Sequence, residues 1–420
     1  MLPAAPSPDA PPPNAQPPVP RQRARELGIR IGSLPVGPTN TIVDVANVAV
    51  GHRTVWRDEP GRPDGRGIAR TGVTAIVPFG PDELFGERVP AGAAVLNGAG
   101  EAIGITAIDE WGVIETPILL TSSMAIGRVY DGAVEALVER IPKAGIDDAL
   151  MPVVAECDDG HLNDSRIVQV DAADVRAAID GARGAGAGPI PLGVVGSGTG
   201  MTCFELKGGI GSASRRVQPV ERRAARPIAG GAQVASRAGK DSPTYTVGVL
   251  AMTNFGRLER LTVDGVRVGE ILVAEGWPSA GGAFGDPDTS GAGRERGSCI
   301  VVVATDAPLL PHQLRRLARR AGLGLARTGS TAGHGSGEIF LAFSTGIRVP
   351  RGPREPLATT THLHDEFLDR LFAAAVEATE EAVVDSLFVS DTVVGRSGHV
   401  VPGLPVERTL ELLRAAGRAG

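Results

Sequence analysis

The sequence predicts an α+β fold in which helices and sheets are layered, and two observations support this class. Short runs of apolar, β-branched residues bounded by Gly, Pro, Asn or Asp recur along the chain, which predicts buried strands. Segments with helical spacing of apolar residues separate only some of these runs, so the strict alternation of a doubly wound sheet is missing. A chain of 420 residues with 42% hydrophobic residues can bury a sizeable core.

The predicted strands are short, and most are followed by turn-forming residues. The run that begins at Gly72 ends at a proline, and the run that begins at Ala93 passes into a glycine-rich turn. The run that begins at Thr246 leads to Asn254, and an Asp-Gly pair at residues 264–265 predicts a hairpin. Strands are therefore predicted within residues 27–51, at 72–78, 93–96, 118–123, 151–156 and 246–256, in a hairpin at 261–269, and at 298–305 and 339–345.

The predicted helices follow from apolar residues three or four positions apart. Val129, Ala133 and Leu137 predict a helix at residues 126–140. The alanine-rich segment at residues 171–183 starts with an aspartate, a residue type that caps helices, and predicts a second one. Similar patterns predict helices at residues 311–322, 364–386 and 409–416.

One domain is predicted after a short tail. Residues 1–25 are rich in proline and contain almost no apolar side chain beyond alanine, so they cannot bury a core and are predicted to be disordered. Residues 26–420 form the predicted domain. No apolar run approaches the roughly 20 residues that span a bilayer. The start of the chain lacks a basic segment followed by an apolar one, so we expect a cytoplasmic protein without membrane partners.

Composition argues against several classes of function. The formal net charge of −6 argues against nucleic-acid binding, and the arginine clusters at residues 215–216, 222–223 and 315–320 are predicted to be solvated. The three cysteines are far apart and form no Cys-x-x-Cys pair, which argues against disulfides and zinc ribbons and fits a reducing compartment. His362 and His364 are interpreted as solvated, so no metal and no cofactor are predicted.

Two glycine-rich clusters invite comparison with phosphate-binding loops. They span residues 196–201 and 207–211. Neither has the Gly-x-x-x-x-Gly-Lys-Ser/Thr order or a clean Gly-x-Gly-x-x-Gly. Glycine also lets two backbones approach closely, and we prefer this structural role for both clusters.

The strand that begins near Ser298 carries the functional prediction. It follows residues 281–297, which are rich in Gly, Asp and Arg and are predicted to be flexible, so a serine is expected at the start of a buried strand. Cleavage between Gly297 and Ser298 would give Ser298 a free α-amine. Such an amine titrates at about 7.7–8.0 in model peptides, so near neutral pH it could take the proton of its own hydroxyl. The alternative is that the two residues merely form a turn before a strand. Cys299 points to the opposite face and is predicted to be a core residue.

Three further polar residues are predicted to assist the serine. Ser336 and Glu338 stand two apart where a strand begins, so they share one face, and a buried carboxylate there would stabilise the protonated α-amine. Asn254, at a strand end, is a candidate donor to a tetrahedral oxyanion. The alternatives are a solvated charge for Glu338 and a turn residue for Asn254.

Several motifs in order resemble the DmpA-type aminopeptidases, the family of L-aminopeptidase/D-esterases and β-peptidyl aminopeptidases. The motifs are the serine strand at residues 297–309, the run Gly335-Ser336-Gly337-Glu338 with the strand after it, the two glycine clusters, and Leu162-Asn163-Asp164. The resemblance covers nearly the whole chain after the tail. It implies an αββα sandwich of the N-terminal-nucleophile type and self-cleavage into chains of residues 1–297 and 298–420.

The resemblance also implies roles for single residues. Ser298 is implied as the nucleophile, with Ser336 and Glu338 as its supporting pair. Asn254 is implied as an oxyanion donor, and Glu156 matches the acid that contacts the free amine of the substrate. The implied enzyme is a homo-oligomer that releases N-terminal residues from short peptides, amino-acid amides or esters, with L-, D- and β-aminoacyl substrates all open.

One position departs from the family pattern. Two residues after Glu156, where relatives often carry a tyrosine that assists the oxyanion, this chain has Asp158, and its tyrosines are Tyr130 and Tyr245. An ionised carboxylate would repel an oxyanion.

Two alternatives stay open beside the aminopeptidase. One is an acyltransferase like the ornithine acetyltransferases, which favour threonine as nucleophile, and the other is an uncleaved, non-catalytic binding protein.

Overall fold

The structure, a computed structural model, describes residues 21–80, 82–184, 188–218, 243–280, 296–352 and 355–419. Its strands are β1 (Val48–Asp58), β2 (Ile68–Pro78), β3 (Glu87–Gly98), β4 (Ala102–Ile103), β5 (Val113–Ile114), β6 (Ile118–Ser122), β7 (Val153–Cys157), β8 (Thr202–Cys203), β9 (Leu206–Lys207), β10 (Ile210–Val217), β11 (Tyr245–Asn254), β12 (Arg296–Thr305), β13 (Gly335–Ser344), β14 (Val349–Pro350), β15 (Val393–Val394) and β16 (Val400–Val401). Its helices are α1 (Ile105–Trp111), α2 (Ile126–Val138), α3 (Ala172–Gly184), α4 (Val268–Ala274), α5 (Pro311–Ala318), α6 (Ala321–Arg327), α7 (Asp369–Phe388) and α8 (Val406–Ala415).

Two sheets form the centre of the molecule. The first has the strand order β1-β2-β6-β7-β4, and the second has the order β10-β11-β12-β13-β3-β14, with β5 also paired to β3. In the second sheet, β12 lies antiparallel to β11 and parallel to β13. β12 is therefore a central strand, which is where a continuous run of Ile and Val is expected.

Three apolar cores stack these elements in layers. One core lies between the sheets, where Ile76 and Leu120 of the first sheet pack with Leu250, Ile300 and Leu341 of the second. Another core joins the first sheet to α2 and α3, and a further core joins the second sheet to α4, α5, α6, α7 and α8. The order of the layers is helix, sheet, sheet, helix, which is the predicted αββα sandwich.

The alternation of side chains along β12 decides where its first residues point. Ile300 and Val302 belong to the core between the sheets, whereas Cys299 and Val301 belong to the core that faces the helices. Ser298 continues the even-numbered series, so it lies on the side between the sheets. Cys299 is fully buried on the other side, in agreement with its prediction as a core residue.

The helical part differs from the prediction in three places. The predicted helix at residues 311–322 is two helices, α5 and α6. α1 and α4 escape pattern analysis because each has only seven residues, too few to define a helical period. In the predicted hairpin, Val263 and Val266 form an isolated bridge, and α4 begins two residues later. In the described part of the chain no helix combines the length and the apolar character needed to cross a membrane.

Residues 21–25 fall inside the predicted tail but are packed on α7. Arg23 donates to Asp385 at 2.8 Å, and Arg25 donates to Glu381 at 2.8 and 2.9 Å. The tail prediction therefore extends too far, because ion pairing to a distant helix leaves no local pattern. The rest of the predicted tail, residues 1–20, lies outside the described residues.

Arg215 corrects the prediction of solvated arginine clusters. Its side chain is fully buried and pairs with Glu377 at 3.0 Å and Glu381 at 2.6 Å. It stands on β10, whose side chains alternate between faces, so it points at α7 while its neighbour Arg216 is exposed. The cluster at residues 222–223 lies outside the described residues. The guanidinium of Arg215 is thus part of the interior that joins β10 to α7.

Candidate active site

Ser298 lies near the start of β12, in the wall of a cavity. It pairs with Asn254 at the end of β11 and with Gly337 near the start of β13. Only 4% of the residue is exposed. The cavity has a volume of about 230 Å³, below the roughly 300–1,000 Å³ of pockets for drug-sized ligands, so it suits a small group rather than a long peptide. Its lining residues are Ala99, Ser123, Glu156, Asp158, His161, Thr202, Asn254, Gly297, Ser298 and Gly335.

Cys157, at the end of β7, is the neighbour of Ser298 across the two sheets. The Sγ of Cys157 donates to the carbonyl oxygen of Met252 at 3.8 Å, and Cys157 is fully buried. Burial raises the pKa of the Cys157 thiol well above its usual value, and the nearby charge of Glu156 acts in the same direction. The thiol is therefore neutral and unreactive at physiological pH, which leaves Ser298 as the candidate nucleophile of the pair.

Ser336 and Glu338 flank the serine on the neighbouring strand β13. Gly297 is paired with Ser336 and Cys299 with Glu338, so the two residues bracket Ser298. The Ser336 hydroxyl donates a short hydrogen bond to Oε1 of Glu338, which places both side chains on one face. Glu338 is fully buried, so the alternative of a solvated charge is wrong.

Asn254 is held at both ends of its amide. Its Oδ1 accepts a hydrogen bond from the backbone N–H of Thr202 at 2.9 Å, and its Nδ2 donates to the carbonyl oxygen of Asp158 at 2.9 Å. An amide nitrogen carries two hydrogens, so one remains for a further acceptor. Asn254 lines the cavity beside Ser298, so the remaining hydrogen is on the candidate oxyanion donor of the sequence analysis.

Glu156 stands in the cavity wall at the end of β7, and only 6% of it is exposed. Its Oε1 accepts a hydrogen bond from the backbone N–H of Glu101 at 2.8 Å, and its Oε2 accepts a short one from the Ser123 hydroxyl. Burial raises the pKa of the Glu156 carboxyl, and the nearby charge of Asp158 acts in the same direction. An incoming ammonium would reverse this effect, so the carboxylate is poised for a cation.

Asp158 follows Glu156 by two residues and also lines the cavity, but its side chain is exposed. Its Oδ1 accepts a hydrogen bond from the backbone N–H of Gly160 at 2.8 Å. This contact ties Oδ1 to the loop that follows β7. Among the described residues that line the cavity there is no tyrosine, so neither Tyr130 nor Tyr245 supplies a phenol to the site.

The glycine clusters pack backbone against backbone. A Cβ on Gly209 would lie 2.1 Å from the carbonyl oxygen of Gly193, which excludes any side chain there. Lys207 is fully buried, and its Nζ donates to the carbonyl oxygens of Gly198, Met201 and Gly208 at 3.2, 2.6 and 2.8 Å. The lysine therefore links the two clusters by hydrogen bonds. Thr202, the residue after the first cluster, donates its backbone N–H to Asn254. Burial lowers the pKa of Lys207 to about 7.

Four residues of the site escape sequence analysis. Ser123 is the last residue of the predicted strand at 118–123 and could be found by the same polar strand-end signal as Asn254. Cys157 and Thr202 reach the site only through packing that brings β7 beside β12 and β8 beside β11. Asn97 fixes the entry to β13, since its Nδ2 donates to the carbonyl oxygens of Gly333 at 2.7 Å and Ser336 at 2.6 Å. The described lining of the cavity includes Glu156, Asn254 and Ser298, which were singled out from the sequence, but not Ser336 or Glu338. Within the described ranges no group of three or more His, Cys, Asp and Glu side chains could hold a metal ion.

Comparison with known proteins identifies the family. A model of the family described as Peptidase family S58 matches residues 40–401. The chain belongs to peptidase family S58. Within curated proteins, this S58 peptidase is 40% identical over 395 residues to the β-peptidyl aminopeptidase BapA of Sphingosinicella xenopeptidilytica, a match that covers 94% of the chain and 91% of the relative.

Solved structures are similar to the S58 chain over nearly all of its length. A β-aminopeptidase of a Burkholderia species has a TM-score of 0.78 at 40% identity, with 94% of this chain and 99% of the other covered. The L-aminopeptidase D-Ala-esterase/amidase of Ochrobactrum anthropi, called a prototype of the serine aminopeptidases with a variant of the Ntn hydrolase fold, has a TM-score of 0.80 at 36% identity, with 95% and 99% covered.

These similarities bear on the predictions made from the sequence. The αββα fold of the N-terminal-nucleophile type is confirmed, and so is the prediction that the chain is an enzyme of the DmpA-type family, a peptidase. The relatives named above are aminopeptidases, in agreement with the predicted activity of the S58 chain. The comparisons give no support to the acyltransferase or to the non-catalytic relative.

Proposed function

We propose that this chain is a self-processing serine aminopeptidase that releases N-terminal residues from short peptides, amino-acid amides or esters through an acyl-enzyme on Ser298. The observation that carries the proposal is the shared cavity. One wall presents Ser298, and another presents the buried carboxylate of Glu156. A nucleophile and an ammonium receptor in one small cavity suit a substrate that is cut next to its free amine.

Self-processing creates the catalytic group. Hydrolysis of the bond between Gly297 and Ser298 leaves a carboxylate on residues 1–297 and a free α-amine on residues 298–420. In its neutral form this amine takes the proton from Oγ of Ser298 as the oxygen attacks the substrate carbonyl. The proton then passes to the leaving amine or alcohol, and water hydrolyses the ester that remains on Ser298.

The proposed roles of the neighbouring residues follow from their positions. Ser336 and Glu338 lie beside the new α-amine and stabilise its protonated form, since the carboxylate is buried in contact with the hydroxyl. Asn254 donates the free hydrogen of its amide to the oxyanion of the tetrahedral intermediate. Thr202 and the Asp158 carbonyl orient that amide.

Location and assembly are proposed from the chemistry of the cysteines and of the surface. The free thiols of Cys157, Cys203 and Cys299 are buried, as suits a protein of the reducing cytoplasm. An exposed apolar groove that includes Ile103, Trp111 and Met151 supports assembly into a homo-oligomer. Light scattering of the purified protein gives the subunit number, and a monomer at micromolar concentration would contradict this part of the proposal.

The function is tested with substrates that differ only at the amine. The purified protein should consist of two chains that break between Gly297 and Ser298 by intact mass. It should hydrolyse alanine p-nitroanilide and β-alanine p-nitroanilide, or one of them, but not the N-acetylated forms, because acetylation removes the charge that Glu156 binds. Hydrolysis of acetylated and free substrates at equal rates would contradict an aminopeptidase, and an uncleaved, inactive chain would contradict the whole proposal.

Gly297→Ala is expected to slow self-processing by about 100-fold, because small displacements of a reacting group cost rates of that order. Gly297 has a φ of +156°, and a Cβ would lie 2.7 Å from the carbonyl oxygen of Asn254 and 2.9 Å from Cα of Phe255. Both are backbone atoms, so the scissile bond itself must move. Intact mass at successive times after synthesis measures the effect.

Gly98→Ala is the matched control for this substitution. Gly98 faces Gly337 across the same sheet, and a Cβ there would make an ordinary contact of 3.6 Å with Val95. The control should be processed at the rate of the parent. Processing of Gly297→Ala at the parental rate would show that the close approach at Gly297 does not position the bond.

A further inference from the structure

We propose that this peptidase prefers aminoacyl substrates that carry a second cationic group on the side chain of the N-terminal residue, and that Asp158 binds this second cation. The substrate class is that of diamino acyl groups, such as lysyl and ornithyl. The inference rests on the proposed function, because it assigns the first cation, the free amine, to Glu156.

The charge of the cavity is the first argument. Its described lining contains two carboxylates, Glu156 and Asp158, and neither lysine nor arginine. His161 adds no positive charge near neutral pH, because burial lowers its pKa to about 4. In the proposed mechanism Glu338 serves the α-amine of Ser298. A substrate with one amine therefore neutralises Glu156 and leaves the negative charge of Asp158 without a partner.

The second argument is the number of contacts that each carboxylate already makes. Both oxygens of Glu156 accept hydrogen bonds, one from Glu101 and one from Ser123, so this group is fixed in place. The hydrogen bond that the Asp158 side chain accepts within the described residues comes from Gly160 and uses Oδ1 alone. Oδ2 of this exposed side chain remains available to an ammonium or guanidinium group.

The third argument is spacing. Glu156 and Asp158 are two residues apart at the end of β7, and in an extended chain that corresponds to about 7 Å. One long side chain spans such a distance from its own α-amine. We therefore place both cations on the same residue of the substrate rather than on opposite sides of the scissile bond.

An independent observation indicates that the cavity is completed by a polar ligand. Thr202 lines the cavity and is 2% exposed, yet its hydroxyl has no hydrogen-bond partner within the described part of the chain. A buried hydroxyl without a partner lowers stability. A ligand that brings polar groups into the cavity would satisfy it.

The test compares p-nitroanilides of lysine and norleucine, which differ in the terminal ammonium and have side chains of similar length. The parent enzyme is used in its self-cleaved form with both chains complete. Its kcat/KM should be about five- to tenfold higher for lysine, which is the gain expected from a partly exposed ion pair in a cavity. In Asp158→Asn the ratio should fall to about one. Asparagine keeps an oxygen for Gly160, and intact mass verifies that the variant is processed.

Glu101→Gln is the matched control. Glu101 also lies near Glu156, and its charge acts on the same carboxyl, but it is absent from the described lining of the cavity. This variant should keep the parental ratio. A loss of the preference for lysine in both variants would mean that the overall negative charge near the cavity, and not Asp158, selects the substrate.

Further outcomes separate this inference from the proposed function. Equal kcat/KM for lysine and norleucine in the parent, or a preference that persists in Asp158→Asn, overturns the inference and leaves the aminopeptidase intact. A preference that appears only when lysine is in the leaving group, in alanyl-lysine against alanyl-norleucine, overturns the placement on the N-terminal residue. No hydrolysis of any free-amine substrate overturns the proposed function itself.

Discussion

Ser298→Ala is expected to remain a single chain of 420 residues and to lose hydrolysis of aminoacyl substrates by a factor of about 10⁵–10⁶, the loss known for a serine nucleophile. One hydroxyl is proposed to act twice, first on the bond that precedes it and then on the substrate. Neither Cys157, a neutral buried thiol, nor Ser336, whose hydroxyl is bound to Glu338, can take its place. Intact mass and p-nitroanilide hydrolysis measure both effects.

Ser298→Thr is the control for this experiment, because it keeps a hydroxyl on the same carbon. It is expected to be processed, though more slowly, since the extra methyl group enters an almost fully buried position. Cleavage that persists between Gly297 and Ser298 in the alanine variant would refute the assignment. A break after Arg296 instead would point to a contaminating protease.

Arg215→Met is expected to lower the free energy of unfolding by about 3–5 kcal/mol, the usual cost of removing one partner from a buried ion pair. The arginine is fully buried and binds Glu377 and Glu381 of α7, and it also donates to the carbonyl oxygens of Ser214 and Ile31. Methionine fills much of the same volume but leaves buried carboxylates without this cation. Urea unfolding measures the difference.

The unfolding experiment is best made in the Ser298→Ala background, where the expected single chain keeps the measurement independent of chain dissociation. Arg216→Met in the same background is the control. Arg216 is the next residue on β10 but is exposed, so its substitution should change the free energy of unfolding by less than about 0.5 kcal/mol. Equal losses in the free energy of unfolding for the two substitutions would show that the buried ion pairs of Arg215 do not stabilise the fold.

Most of the strands could be predicted because a buried strand is visible in the sequence as a short run of apolar, β-branched residues. The predicted strands at residues 72–78, 118–123 and 151–156 correspond to β2, β6 and β7. The helix predicted at residues 364–386 corresponds to α7, but the burial of its Glu377, Glu381 and Asp385 was not predicted. Their partners lie more than 150 residues away in the chain, and no local pattern encodes such a distance.

The candidate site was partly predictable for a related reason. Ser298, Ser336, Glu338 and Asn254 each stand where a predicted strand begins or ends, and adjacent strands bring such ends to one edge of a sheet. Glu156 comes from β7 of the first sheet, and the packing of that sheet on the second cannot be read from sequence spacing alone. The role inferred for Asp158 could not be predicted from the sequence, because it depends on the structure placing Glu156 and Asp158 in the lining of one cavity.

The order of strands around β12 has a consequence for the processed molecule. β12 and β13 fall almost wholly in the expected product of residues 298–420, whereas β11 and β3, which pair with them on either side, fall in the product of residues 1–297. In this sheet, two adjacent strands of the second product lie between strands of the first product. Neither can leave without exposing two unpaired strand edges, which are prone to aggregation. The covalent bond can therefore be cut while the molecule keeps a single, undivided fold.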